Sequence, residues 1–210
     1  MTLSSWNSFN KLRQDKKWAS VMPDGLTHLV NLFRARHDLA STLKSIEFEP
    51  EFSKDTTRAY LAGTRLLLSY SAGEALIKAL RRFKGSKSLS VTNWVLKAPE
   101  LANQLRPLAQ VAANRAEYYS LSDSTKKKLL HFSETQDADV RPIATALRHI
   151  HAHGGLTARK MLQNDQDSTS AALSSGFVDA IEQLSELILK RCDLEFTKLT
   201  ESISACMQSE

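Results

Sequence analysis

The chain has 210 residues, 42% of them apolar and 24% charged, and a net charge of +5. That is enough apolar chain for a buried core in one domain, which excludes intrinsic disorder, and no apolar run approaches the roughly 18 residues of a bilayer span. Seven glycines and five prolines are few for this length and favour long helices over a turn-rich β fold.

The start, MTLSSWNSFNKLRQDKKW, lacks the apolar core of a secretory leader. A short amphipathic helix is expected from Trp6 to Trp18, and Pro23-Asp24-Gly25 punctuates it. Asp24 can cap a second helix, in which Leu26, Leu29, Val30, Phe33, Leu39 and Leu43 recur at three to four residues. That helix is expected to end near Phe48-Glu49-Pro50. These first 50 residues read as a helical extension, and residues 51–210 as the main helical bundle, the two forming one compact unit.

A long helix opens at Ser53 or Asp55 and runs to Phe83, with Gly85-Ser86 stopping it. Its expected apolar stripe is Leu61, Thr64, Leu68, Ala72, Ala75, Leu76, Ala79 and Phe83; the small Ala72, Gly73, Ala75 and Ala79 allow close helix approach. Pro99 and Pro107 are expected to break Leu89–Leu121 into short pieces. Asp123 or Ser124 can cap a helix through His131, residues 134–139 read as a loop, and a helix follows from Val140 to His153 with Pro142 in its first turn. Residues 163–170 are polar and loop-like. The last helix spans Ala171–Met207, with Phe177, Ile181, Leu184, Ile188, Cys192, Phe196, Leu199 and Ile203 on one face. The fold class is therefore all-α, an up-and-down bundle with long antiparallel helices and short cross-helices.

Cys192 and Cys206 are the two cysteines. Fourteen positions of helix separate them by about 21 Å, too far for a disulfide, and the expected compartment is the reducing cytoplasm. The basic excess is clustered at Arg81, Arg82, Lys84 and Lys87 and at Lys126-Lys127-Lys128. Each cluster fits either a solvated helix end or a contact with nucleic acid.

One segment concentrates chemistry: Arg148-His149-Ile150-His151-Ala152-His153-Gly154-Gly155 holds three of the six histidines. His149 and His153 are four apart, a zinc-ligand spacing, yet His151 points elsewhere and no cysteine lies nearby to complete a site. A histidine beside a C-terminal glycine also suits the helix dipole. The third reading is phosphodiester chemistry without a metal or cofactor. Histidine can take the proton of a 2′-OH and return one to the leaving oxygen, and arginine can hold the phosphate in bidentate fashion.

Arg148, the polar His149, three further residues and His153 resemble the Arg-x4–6-His signature of HEPN domains, over roughly residues 53–207. The resemblance implies an endoribonuclease that cuts RNA by 2′-OH attack at a composite site of a homodimer. It also implies the setting of a toxin–antitoxin pair or another defence system, with an antitoxin or other protein restraining it. HEPN domains also include bundles that do not cleave and instead bind nucleotide, RNA or protein. Under the resemblance the catalytic candidates are Arg148, His153, His149 and His151, with Glu74 on the earlier long helix beside them. Arg148 and His153 diverge by about 140° around a straight helix, whereas Arg148 and His151 share a face. Which histidine is the general base is left open. Glu74 equally suits a surface pair with Lys78; Tyr70 is placed for packing or base stacking, and Trp94, Tyr118 and Tyr119 for packing.

Overall fold

The structure is a computed structural model and describes residues 3–47, 54–85, 94, 96–152 and 170–209. Eight helices follow in chain order among these residues: α1 Trp6–Gln14, α2 Trp18–Val21, α3 Leu26–Thr42, α4 Lys54–Lys84, α5 Pro99–Asn114, α6 Asp123–Glu134, α7 Arg141–Ala152 and α8 Ser170–Gln208. The fold is all-helical; an isolated bridge between Lys97 and Asp139 is the one β-type pairing among the described residues.

α4 is the axis of the bundle. Along α4 from Arg65 to Arg82 the partners on α3 run backwards. Arg65 Nε donates to the Ala40 carbonyl, Arg36 to the Ser71 carbonyl, and Arg82 Nε to the Asp24 carbonyl. α3 is therefore antiparallel to α4. α7 is also antiparallel, with Gly63 against His151 and Tyr70 against Thr145. α8 runs parallel to α4, since Arg58 pairs with Asp179 and Glu182 while Gly73 abuts Cys192. In chain order α3, α4, α7 and α8 thus alternate down and up. The two longest helices nevertheless lie parallel, because α7 intervenes between them.

The reason α4 can serve three neighbours is its side-chain size. Ala59, Ala62, Ala72, Ala75 and Ala79 are all buried, and so are Leu66, Tyr70, Leu76, Ile77 and Leu80. A helix flanked on most sides becomes apolar on most sides. The stripe expected from spacing is accordingly shifted: Leu61, Thr64 and Leu68 are only half-buried, and Ala62, Leu66, Ser69 and Tyr70 take their place.

The N-terminal segment joins the same hydrophobic cluster as the bundle. Phe9 and Phe33 both meet Phe196 of α8, at ring centroids of 5.6 and 5.3 Å. α3 starts at Gly25 rather than through an Asp24 cap: Gly25 has φ 78° and no side chain caps the helix, a left-handed turn that glycine adopts without cost. The helix ends at Thr42, short of the expected boundary, and residues 48–50 lie outside the described residues. Leu39 is half-exposed, while His37 and Ala40 occupy the buried positions of that turn.

Elsewhere the expected boundaries need small corrections and one larger one. Ser122, not Asp123, caps α6, its Oγ accepting from the Thr125 amide at 3.2 Å. α5 is continuous through Pro107. Pro107 and Asn103, whose carbonyl loses its helical donor, are both exposed, so water can satisfy it. The buried Leu101, Leu105, Ala109 and Ala112 hold the helix together. Tyr118 is exposed rather than packed, whereas Trp94 is buried and Tyr119 packs on the core. The expected loop at 163–170 falls outside the described residues up to residue 169, and α8 begins at Ser170.

Candidate functional site

The candidate site lies where the last two turns of α7 cross α4. α7 is strongly amphipathic. Ile143, Ala144, Ala146, Leu147 and Ile150 are buried, which turns Arg148, His149 and His151 toward the edges of the helix and leaves each half-buried. Asp139 fixes the start of α7. Its carboxylate accepts from the Arg141 amide at 3.2 Å and pairs with the Arg141 side chain, and it also accepts from the Leu96 amide at 3.3 Å.

Arg148 reaches α4. Its Nη2 donates to Glu74 Oε1 at 3.1 Å and Oε2 at 3.3 Å, and its guanidinium lies 5.5 Å from the centre of the Tyr70 ring. Tyr70 and Glu74 are four apart and share a face of α4. The Tyr70 hydroxyl shares a hydrogen bond of 3.1 Å with Thr145, one turn before Arg148. Glu74 thus meets Arg148 across the interface; the surface pair with Lys78 is not among the ion pairs of the described residues. Tyr70 is buried and packs, so it is no platform for a base, and burial raises its phenol above the ordinary value.

The Arg148–Glu74 pair is about one-third exposed on each side, at 34% and 37%. Ion pairs so exposed contribute about 0–1 kcal/mol. Separating Arg148 from Glu74 therefore costs little.

His151 turns the other way along α4. A Cβ on Gly63 would stand 2.7 Å from His151 Nδ1 and 2.8 Å from Cε1, so the imidazole lies directly on the glycine backbone. Burial holds its pKa below the usual histidine range, which keeps the ring neutral at neutral pH. Gly63 and Glu74 are eleven residues apart on one helix, about 16 Å. Arg148 and His151 share a helix face, as their spacing requires, yet their heads point to opposite ends of the α4 contact. They do not meet at one point in this arrangement. His149 is half-buried and about 100° round the helix from Arg148, on the side away from His151. His153 and the Gly154-Gly155 pair lie outside the described residues.

Among the described residues no group of three His, Cys, Asp or Glu side chains is placed to hold a metal ion, and no helix is long and apolar enough to cross a membrane. Cys192 is buried and Cys206 half-buried, and neither forms a disulfide.

Two features of the site carry no motif: Gly63 seats His151, and Thr145 anchors Tyr70. Away from the site, His37 on α3 is fully buried with neither ring nitrogen hydrogen-bonded among the described residues. Gly63 had a usable signal, a glycine in mid-helix, where it costs about 1 kcal/mol relative to alanine and so calls for a packing reason. Comparison of the chain with protein-family models, with curated proteins and with solved structures finds no match.

Proposed function

We propose that the chain is a metal-independent endoribonuclease of the HEPN kind, acting in the cytoplasm as a toxin or defence effector. The observation that supports this reading most is Arg148. It is a part-exposed guanidinium held by a displaceable carboxylate, Glu74, with histidines one and three residues further along the same helix. Arg148 would grip the scissile phosphate once Glu74 releases it. A neutral histidine, His153 or His151 with His149 assisting, would take the proton of the 2′-OH. The 2′ oxygen then attacks phosphorus, the 5′ oxygen leaves with a proton from a second histidine, and the products are a 2′,3′-cyclic phosphate and a 5′-OH end. The opposed directions of Arg148 and His151 favour a homodimer in which the cation and the base at one phosphate come from different copies.

The same divergence favours a second reading, a HEPN-like bundle that binds nucleotide, RNA or a protein partner such as an antitoxin without cleaving. Purified protein incubated with RNA in EDTA separates the two. The enzyme reading expects cleavage that leaves cyclic phosphate ends and is lost in Arg148→Ala and His153→Ala. Folded, dimeric wild type that cuts nothing would shift the conclusion to the binding module, and activity abolished by EDTA would return attention to a histidine metal site.

A further inference from the structure

The second half of α4 carries a feature that the nuclease reading does not use. Glu74, Lys78, Arg81 and Gly85 follow one another at spacings of four, three and four residues, so they form a single stripe along the helix. The stripe lies between α7, which meets α4 through Gly63, Tyr70 and Glu74, and α3, whose first turn is tied to α4 by Arg82 Nε donating to the Asp24 carbonyl at 2.8 Å. Beyond Glu74 it opens into a groove of about 610 Å³ lined by His28 and Leu29 of α3 and by Lys78, Arg81 and Arg82.

The charge of that groove is uncompensated. No ion pair among the described residues engages Lys78, Arg81 or Arg82. Arg81 Nε is buried without a hydrogen-bond partner among them, a donor whose desolvation is unrepaid until an acceptor arrives. Lys78 and Arg82 are exposed. The groove also receives the start of α3 at Gly25, where the positive end of a 17-residue helix adds to the field. Three cations outside any ion pair of the described residues, one unsatisfied buried donor and a concave shape together point to an anion of more than one charge.

We infer that this groove is a backbone track for single-stranded RNA, holding the phosphates next to the one gripped by Arg148. The inference rests on the nuclease reading for its direction, because the stripe runs straight from the Arg148–Glu74 pair. From Glu74 it is about 6 Å along the helix to Lys78 and about 10 Å to Arg81, so successive phosphates of an extended strand can be met in turn. Lys78 would act as a mobile point charge, and Arg82, its Nε held by the Asp24 carbonyl, would offer its remaining donors. Arg81, half-buried, would set the register. Phosphate recognition of this kind positions the strand without reading its sequence.

The test is binding, measured apart from cleavage. A fluorescent 2′-O-methyl RNA, which has no free 2′-OH to attack, is titrated against wild type, Lys78→Gln, Arg81→Gln, the double variant, and Lys190→Gln as an exposed control on α8, each from 50 to 200 mM salt. Wild type is expected to bind with a steep salt dependence. Neutralising one cation that meets a phosphate should flatten the slope of log affinity against log salt by about 0.7, which lowers the ratio of the 50 mM to the 200 mM affinity about 2.6-fold. Lys190→Gln should track wild type. Lys78 is exposed, so its variant reports on binding even if Arg81→Gln disturbs the fold, which circular dichroism would reveal. Equal slopes for Lys78→Gln and wild type, or no binding by wild type at 50 mM salt, overturn the track whatever the cleavage assay gives. Slopes that flatten in a protein that never cuts RNA uphold the track and refute the nuclease reading alone.

Discussion

Replacing Gly63 with alanine should move His151 while leaving the bundle nearly as stable as before. The added Cβ would come within 2.7 Å of Nδ1, and ordinary contact begins near 3.4 Å, so the ring must retreat by at least 0.7 Å, the difference of the two. The obstacle is the end of a rotatable side chain and not backbone. Rotation off a preferred rotamer costs about 0.5–1.5 kcal/mol, while glycine to alanine inside a helix gains about 1 kcal/mol. The two nearly cancel, and a residual of about 1 kcal/mol shifts the melting temperature of a chain this size by about 2–4 °C. The displaced imidazole should meet more water, so its titration midpoint, held down by burial, should rise toward the ordinary histidine value. Thermal denaturation and the histidine ring signals in a pH-dependent NMR series measure both quantities on the same variant. An unchanged His151 midpoint would mean the ring does not lie on Gly63. A loss above about 3 kcal/mol would mean that the imidazole cannot rotate and that the crossing of α4 and α7 is rigid, contrary to the reasoning. If His151 is the general base, RNA cleavage should fall in step with its displacement.

Further predictions concern groups away from the signature. Burial lowers the pKa of His37, with Asp38 and Asp193 only partly opposing it. A histidine lowered in the folded state is protonated first in the unfolded chain. Stability should therefore be full above about pH 6.5 and decline below it, by at most about 1.4 kcal/mol per pH unit. Denaturant melts between pH 7.5 and 5 should show the decline, and His37→Leu should reduce it; an identical slope in that variant would exclude His37 as the cause. Tyr70→Phe removes a hydrogen bond to Thr145 and should cost about 0.5–1.5 kcal/mol in a denaturant melt, and no change in stability would show that the Thr145 hydroxyl is equally well satisfied elsewhere. Burial pushes the Cys192 thiol far above its usual range, so a thiol reagent should modify Cys206 in the folded protein and Cys192 only after unfolding. Rapid modification of both would contradict the packing of α4 against α8.

Spacing alone revealed α8, because a helix with one wet face keeps a clean period: seven of its eight expected face residues, from Ile181 to Ile203, are buried. It misplaced the stripe of α4 for the opposite reason. A helix with neighbours on three sides has no single apolar face to find, and its alanines read as weak signals although they form the interface. Pro107 misled because a proline that faces solvent breaks one hydrogen bond without ending the helix. At the candidate site, the shared face of Arg148 and His151 was legible from their spacing of three. Their opposite aim was not, since it is set by what α4 offers opposite each: a carboxylate at 74 and a bare backbone at 63. Glu74 entered as a candidate through the HEPN resemblance, with Lys78 as the local alternative, and the partner it meets, Arg148, lies 74 positions along the chain, beyond any local pattern.

The central position of α4 has a kinetic consequence. Its amides between Ala59 and Leu80 sit under α3, α7 and α8 together, so exchange with deuterated solvent should require global unfolding, whereas amides of α6 can open singly. Glu74 and Gly63 ride on that slowest-exchanging helix. Arg148 and His151 belong to a shorter helix docked through one side. The fixed partners and the residues they restrain thus sit on different clocks, and a rotation of the part-exposed Arg148 side chain off Glu74 can occur without disturbing the core.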